Sequence, residues 1–431
     1  MNINFKTKYP FFLFLILTLN LFIKIIFFIF FRDLSLQNEW SVMFENLKNH
    51  GILSYHLAHT NELPPNSYMP PLYAFMIFLI SKINIFQFSL VNKVIVFQIF
   101  LNSISVLLIY LTFKNFFKNY YLYLLVAIYA FYPLAIFSSV QISSTALTMF
   151  LLSSFFYFHF NENNNYYFKY LFYGLIAGLL ILIRGEFYLI FFLILAFEII
   201  KNKRLYKKFL FSLVVSLIII SPYLKRNFDI FDKLIITQSI GYNLWRGNNE
   251  LSSVDSIISH NFIYNTTVDT VEFKSLSQKE KENLFQLKQK INNINDDNEK
   301  YDLVRDNIFF KEFKTNISNN FFKFLILSSK KLISFLFINF ESNYKNYYKP
   351  GVIIPEILIS IISFYGFMIC ILNYKKNYFF VNLFGYYALI FSIFFVLPRY
   401  KLIVLPILCY FSIIGLKHLI EKLILKKGLN N

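Results

Sequence analysis

The sequence predicts an all-α polytopic membrane protein with about ten transmembrane helices, eleven being the alternative count, and three observations carry that expectation. Of 431 residues, 57% are hydrophobic, with 57 Phe and 31 Tyr among them, more than a soluble core of this size requires. The apolar residues fall into recurrent blocks of a length suited to a hydrocarbon layer about 30 Å thick, which takes roughly 20 helical residues to cross. The basic residues also gather where an alternating topology would place cytoplasmic loops: Lys114 and Lys118, Lys169, the run Lys201, Lys203, Arg204, Lys207 and Lys208, then Lys375, Lys376, Lys426 and Lys427. Because short cytoplasmic loops attract Lys and Arg, the formal charge of +18 is explained by topology, and no nucleic-acid partner is expected.

In chain order, residues 10–31 form a first span, with Lys6 and Lys8 holding its start in the cytoplasm. It is too long for a cleaved signal peptide and lacks a small-residue cleavage site. Residues 32–73 are polar and make a first outer loop that carries interfacial helices. The block 72–83 is apolar but short, and its Pro70-Pro71 entrance fixes where it starts, so it is expected to lie in the interface. Further crossings are expected at about 91–113, 120–138, 145–160, 168–183, 186–200 and 208–222. Residues 227–320 would then lie outside as a small cap, with a charged helical stretch at 277–300. In 321–340 the midpoint carries Lys330 and Lys331, each costing about 2.5 kcal/mol or more in hydrocarbon, so this block is expected in the interface. Spans at 352–372, 378–397 and 401–420 complete the count with both termini inside. If 321–340 crossed, the C-terminal basic residues would fall on the wrong side. The chain divides into an N-terminal catalytic module, 1–250, an outer insertion with its interfacial helix, 251–350, and C-terminal membrane helices, 351–431.

Four polar groupings share the outer face. Asp33 and Glu39 stand in the first loop. Arg184-Gly185-Glu186 is a charged break between two apolar blocks, expensive at membrane depth unless paired or set in a polar cavity. Lys225, Arg226 and Asn227 precede the run Gly241-Tyr242-Asn243-Leu244-Trp245-Arg246-Gly247-Asn248-Asn249. Arg399, Tyr400 and Lys401 open the last span. A carboxylate beside several cations suits a phosphate-bearing substrate, with Arg gripping phosphate oxygens in a fork and the carboxylate acting as base. Single basic residues at span ends also serve as interfacial anchors, and Tyr242 and Trp245 also fit an aromatic belt. His50, His56 and His59 lack accompanying carboxylates or cysteines, and Cys370 and Cys409 sit inside apolar blocks, so no metal or disulfide framework is read from them.

These same residues resemble the GT-C glycosyltransferases, in particular the family 39-like polyprenyl-phosphate sugar transferases. Glu39-Trp40 followed by Asn46-Leu47, Gly51 and Pro70-Pro71-Leu72-Tyr73 is similar to their first periplasmic loop. Arg226-Asn227 with the run 241–249 is the most specific match, Arg184-Gly185-Glu186 resembles their Arg-Pro-Glu turn, and Arg399-Tyr400 their late Arg-Tyr. The resemblance implies inverting transfer of a sugar from a polyprenyl-monophosphate donor to a glycan, lipid or protein acceptor. The protein would sit in a bacterial-type cytoplasmic membrane with its site facing the periplasm or exterior. It implies Glu39 or Asp33 as base, since Asn38 stands where the family usually has an acid. Arg226, Arg399, Lys225 and Lys401 would bind the donor phosphate, and Arg184, Asn243, Trp245, Asn248 and Tyr400 the rest of the substrates. No cofactor is expected. The loop 141–145 lacks the acid often found there, so a divalent metal, which needs several oxygen ligands, is not favoured. A lipid-linked sugar transporter or flippase, and an O-antigen ligase or polymerase, remain as alternatives. The absence of an internal repeat weighs against the transporter.

Overall fold

The computed structural model describes residues 9–36, 38–56, 63–83, 87–161, 166–201, 203, 206–264, 270–294, 300–344 and 347–428. Lys6, Lys8, His59 and Arg204, named above, lie outside them. Among the described residues there are helices and no strand.

The membrane half begins with α1 (Tyr9–Phe31). The first outer segment holds α2 (Asn38–His50) and α3 (Leu72–Ser81), and α4 (Leu90–Phe113) follows. The pair α5 (Asn119–Ala130) and α6 (Pro133–Ser139) is one apolar stretch broken at Pro133, with a bend of 50°, because Pro cannot donate into the preceding turn. Next come α7 (Thr145–Phe160), α8 (Tyr166–Ile183), α9 (Phe187–Lys201) and α10 (Tyr206–Phe231). Every block expected to cross is helical. Five helices are long and apolar enough to cross unaided, Phe11–Phe31, Leu90–Phe113, Tyr206–Phe231, Pro350–Leu372 and Pro398–Ile424, and the broken pair gives a sixth. Helices α7 and α8 are apolar but shorter.

Small residues set how closely these helices pack. A Cβ on Gly174 would lie 2.3 Å from the Ser212 carbonyl oxygen of α10. One turn on, a Cβ on Gly178 would lie 2.8 Å from Ile219 Cβ. Helices α8 and α10 therefore meet nearly backbone to backbone, the arrangement that substitutes for a hydrophobic drive inside lipid. The Ser212 hydroxyl donates to the Tyr170 carbonyl across the seam at 3.0 Å.

Beyond α10, α11 (Ile240–Gly247), α12 (Ile257–Tyr264), α13 (Val271–Lys274), α14 (Gln278–Asn292) and α15 (Tyr301–Asn319) form a cap. Its own apolar cluster holds Tyr242, Trp245, Phe262, Leu287 and Phe309. Helix α14 opens with a capping box between Ser277 and Glu280, which satisfies two otherwise unpaired backbone donors.

Helix α16 (Phe321–Leu336) shows how the chain tolerates Lys331. One face is apolar and exposed, including Phe322 and Leu325, and the other buries Lys331, Ser334 and Phe335. The Lys331 ammonium donates to the Gly247 carbonyl at 2.7 Å and Asn248 Oδ1 at 2.9 Å. The last helices are α17 (Pro350–Leu372), α18 (Tyr374–Ile393) and α19 (Lys401–Gly428). A short 3-10 turn, Pro398–Tyr400, joins the last two.

Candidate active site

The first outer segment is not a loose tether. On α2, Met43 and Phe44 are buried, and Trp40 packs edge-on against Tyr73 of α3 at 4.7 Å. That packing leaves Glu39 in the first turn, half-buried. The irregular stretch beyond α2 is tied down by amides: Asn46 Nδ2 donates to the carbonyls of Ser54 (3.0 Å) and His56 (2.8 Å). Asn66 Oδ1 accepts from the backbone of Tyr68 and Met69.

This segment, the α9 N-terminus, the end of α10, α11, α12 and the end of α18 surround a cavity of about 2120 Å³. Glu39, Arg184, Glu186, Asn243, Arg246, Arg399 and Tyr400 all line it, so the structure converges residues more than 350 positions apart. The walls nearest the membrane helices are apolar, among them Leu189, Leu217, Ile220, Leu224 and Ile390. Polar groups over an apolar floor suit a ligand with a charged head and a hydrocarbon tail.

Two of the charges have no hydrogen bond or ion pair with a described residue: Glu39, and Arg399, which is exposed. The other cations are positioned. Arg184 Nη1 lies 3.3 Å from Glu186 Oε1 and its guanidinium 5.7 Å from the Tyr400 ring centre. Tyr400 in turn stacks on Phe391 at 4.7 Å. Arg246 donates from Nε to the Ser256 carbonyl at 3.1 Å and covers Phe395 at 4.4 Å, which leaves its Nη groups for the cavity. Partial burial pushes the Tyr344 hydroxyl up, and the charges of Arg399 and Arg246 both reach it and pull it down. Both guanidiniums therefore act on the same corner of the cavity.

Other expected residues lie elsewhere, for identifiable reasons. Arg226 is a clamp: Nη1 donates to Asn66 O at 2.8 Å and to Asn227 Oδ1 at 2.7 Å, and Nη2 to Leu53 O at 3.4 Å. Its fork grips carbonyls of the first outer segment instead of opening on the cavity. Lys225 is exposed beside it, outside the cavity lining. Lys401 is buried between α17 and α19 in an ion pair with Glu356 at 2.9 Å, so it is not available to a donor phosphate. Trp245 is fully buried in the cap cluster. Asn248 donates to the Leu244 and Ile393 carbonyls, both at 2.8 Å, and accepts from Lys331; it is a joint between α11 and α18. Asp33 accepts from the Ile142 N–H at 2.7 Å and its own N–H donates to Val140 O. It fastens the exit of α1 to the 140–142 turn and does not line the cavity. Burial raises its carboxyl above the ordinary value, against the Ile142 hydrogen bond.

Sequence reasoning did not single out the residues that assemble the cap side. On α15, Asp302, Arg305 and Asp306 share one face, as helical spacing dictates. Asp302 accepts from the Ser67 N–H at 2.8 Å and the Tyr55 hydroxyl at 3.0 Å. Burial works to raise it, but these bonds together with His56, 3.8 Å away, hold its carboxyl below the ordinary value. Asp306 accepts from Gln238 Nε2 at 2.8 Å and the Tyr242 N–H at 2.9 Å. An Asp-x-x-Arg-Asp pattern inside a polar helix was the available signal, but it is indistinguishable from a solvated face until its partners are known. Among the described residues no group of three His, Cys, Asp or Glu comes together as a metal site.

Comparison with known proteins bears on this arrangement. Residues 68–225 match the family described as dolichyl-phosphate-mannose-protein mannosyltransferase. Over 99% of its length the chain superposes on the oligosaccharyltransferase of Archaeoglobus fulgidus in the apo form, with a TM-score of 0.53 at 13% identity. It superposes equally on that organism's AglB in complex with an inhibitory peptide and a dolichol-phosphate, with a TM-score of 0.52 at 12% identity. The chain therefore shares the fold of the matched half of those oligosaccharyltransferases. The chain spans about half the length of those oligosaccharyltransferases, 52% in both cases. No curated protein matches the chain. The family match runs from Tyr68 through the Arg184–Glu186 turn to Lys225 inside α10, and includes neither Glu39 nor Arg399.

Proposed function

We propose that the protein transfers a single sugar from a polyprenyl-monophosphate donor to an acceptor at the outer face of a bacterial-type cytoplasmic membrane, with inversion at the anomeric carbon. The observation that carries this reading is one cavity lined both by Glu39, a carboxylate that bonds to no described residue, and by Arg184, Arg246 and Arg399, above an apolar floor.

The acceptor hydroxyl loses its proton to Glu39 as its oxygen bonds to the anomeric carbon. The bond from that carbon to the phosphate oxygen breaks on the opposite side, and polyprenyl phosphate leaves with the electron pair. Arg399, which bonds to no described residue, and Arg246, anchored through Nε, receive the phosphate, where a guanidinium fork matches two oxygens at once. Arg184, braced by Glu186, adds positive potential. The prenyl chain lies along the Leu217, Ile220 and Leu224 face of α10. Phosphate leaves readily, so one carboxylate suffices and no general acid is required.

Removing the base tests the proposal. Glu39→Gln retains shape and cannot accept a proton at neutral pH, so turnover falls about a hundredfold or more while donor binding persists. Asp33→Asn is the control. Loss of turnover in Asp33→Asn with full turnover in a well-expressed Glu39→Gln would move the base to Asp33.

A further inference from the structure

The cap side of the cavity has a chemistry unlike the arginine side. Tyr55 and Tyr68 of the first outer segment and His260 and Tyr264 of α12 line it, together with Asn292 and Asn293 at the end of α14. The rings form a connected surface. Tyr55 and Tyr68 lie 5.6 Å apart and His260 and Tyr264 4.8 Å apart, and buried Tyr242 bridges the two pairs at 5.8 Å from Tyr68 and 6.4 Å from Tyr264.

One buried cation holds this surface from behind. Arg305 donates from Nη1 to the Tyr55 hydroxyl at 3.1 Å and from Nη2 to the Tyr264 hydroxyl. Its guanidinium also sits 5.7 Å from the Tyr68 ring centre. The phenol hydroxyls of Tyr55 and Tyr264 are thus consumed on the protein side, and what remains for the cavity is ring face and edge. His260 shares Nδ1 with the Tyr242 hydroxyl at 2.7 Å, and burial with the nearby Arg246 and Arg305 pushes it down to about 4, so at neutral pH it is an uncharged ring. Asn292 and Asn293 are exposed, and their side-chain amides bond to no described residue.

We infer that this wall is the acceptor subsite and that the acceptor is an uncharged carbohydrate chain, not a peptide. The inference rests on the glycosyl-transfer reading of the cavity. Sugar rings offer a face of C–H bonds to an electron-rich aromatic face and hydroxyls at their rim to amides. An aromatic wall flanked by two free amides supplies both, with no formal charge on the side chains that form it. Extended peptides also dock in aromatic-lined grooves; what favours a carbohydrate here is that Arg305 holds the Tyr55 and Tyr264 hydroxyls, leaving ring faces beside two exposed amides.

Full-length protein in nanodiscs is tested by saturation-transfer NMR with two neutral oligosaccharides, chitotetraose and maltotetraose, and with a Ser/Thr/Asn-containing 15-residue peptide. Polyprenyl-phosphate binding is measured on the same samples. At least one oligosaccharide is expected to show transfer to its ring protons, weakened about tenfold by Tyr264→Leu, the loss of one stacking ring. Tyr264→Phe, which keeps the ring and gives up the Arg305 bond, retains binding; equal loss in both variants would assign Tyr264 a merely structural role and overturn the wall. Transfer to the peptide alone, or to none of the three probes, also overturns the inference. Donor binding without oligosaccharide binding removes only this inference, whereas oligosaccharide binding without donor binding removes the glycosyl-transfer reading.

Discussion

Glu39, Arg399 and Arg226 are each a single charge on the cap side of the helical bundle, and what separates them is the partner each one finds. Arg226 has spent its fork on the Asn66 and Leu53 carbonyls and on Asn227. Replacing it with Ala strands the buried Asn66 carbonyl, while the Leu53 carbonyl keeps the Asn66 N–H, and a charged hydrogen bond of this kind contributes about 1.5–3 kcal/mol. Arg226→Ala should therefore lower thermal stability and weaken hydrogen-exchange protection at Asn66 while leaving the donor KM of the surviving folded fraction unchanged. Arg399 has no such partners. Arg399→Ala should raise the donor KM by about tenfold or more, since a charged hydrogen bond contributes about 1.5–3 kcal/mol and about 1.4 kcal/mol is a factor of ten, with no change in melting temperature. If Arg226→Ala raised the donor KM and Arg399→Ala did not, the two roles would be exchanged.

At the scale of elements, the cap reaches the cavity through the contact of α11 with α15. A Cβ on Gly241 would stand 2.2 Å from the Asp306 carbonyl oxygen and 2.9 Å from Phe310 Cβ, and backbone cannot yield as a side chain does. Gly241→Ala is expected to part these helices and to lower turnover as Arg246, on the same short helix, shifts. Retention of wild-type melting and turnover would mean that the contact has slack. The cap should also respond to acid. His260 is pushed from 6.5 down to about 4, chiefly by burial. Between those values the unfolded chain binds more protons than the folded one, so stability falls as pH falls through that window. Asp302, held below its ordinary value despite burial, has the same sign at lower pH. Its contribution is present above the ordinary carboxylate value and lost as the pH falls through its folded one. Hydrogen exchange in α12 and α15, corrected for intrinsic rates, should show less protection at pH 5 than at pH 7, and His260→Gln should remove most of that difference. Equal protection at both values would exclude the coupling.

For the whole molecule, the cap and the segment after α1 lie on one side of the helical bundle, joined by Asp302 to Tyr55 and Ser67. The proposed topology, argued from the basic loops, has that side facing outward. A cysteine at exposed Lys279, in a background with the buried Cys370 and Cys409 replaced, should react with an impermeant maleimide added to intact cells. One at exposed Asn373, between α17 and α18, should react only after permeabilisation. The opposite pattern would invert the topology and put the cavity in the cytoplasm.

The helical class, the helix at every apolar block and the membership of Glu39, Arg184, Asn243, Arg399 and Tyr400 in one cavity were legible in the sequence. Hydrophobic length and charge position act locally, and an unpaired charge beside a span has few places to go. The fates of Arg226, Lys401, Asn248 and Asp33 were not legible. Each is a polar group whose meaning depends on which acceptor or donor the fold brings to it: Asn66, Glu356, Lys331 and Ile142 lie between 45 and 160 positions away, or on another helix. A guanidinium satisfied by backbone carbonyls and one left open for phosphate are the same letter in the chain. Only the packing of α2, α10, α11 and α15 decided which was which, because hydrogen bonds saturate and a fork already filled has nothing left to bind.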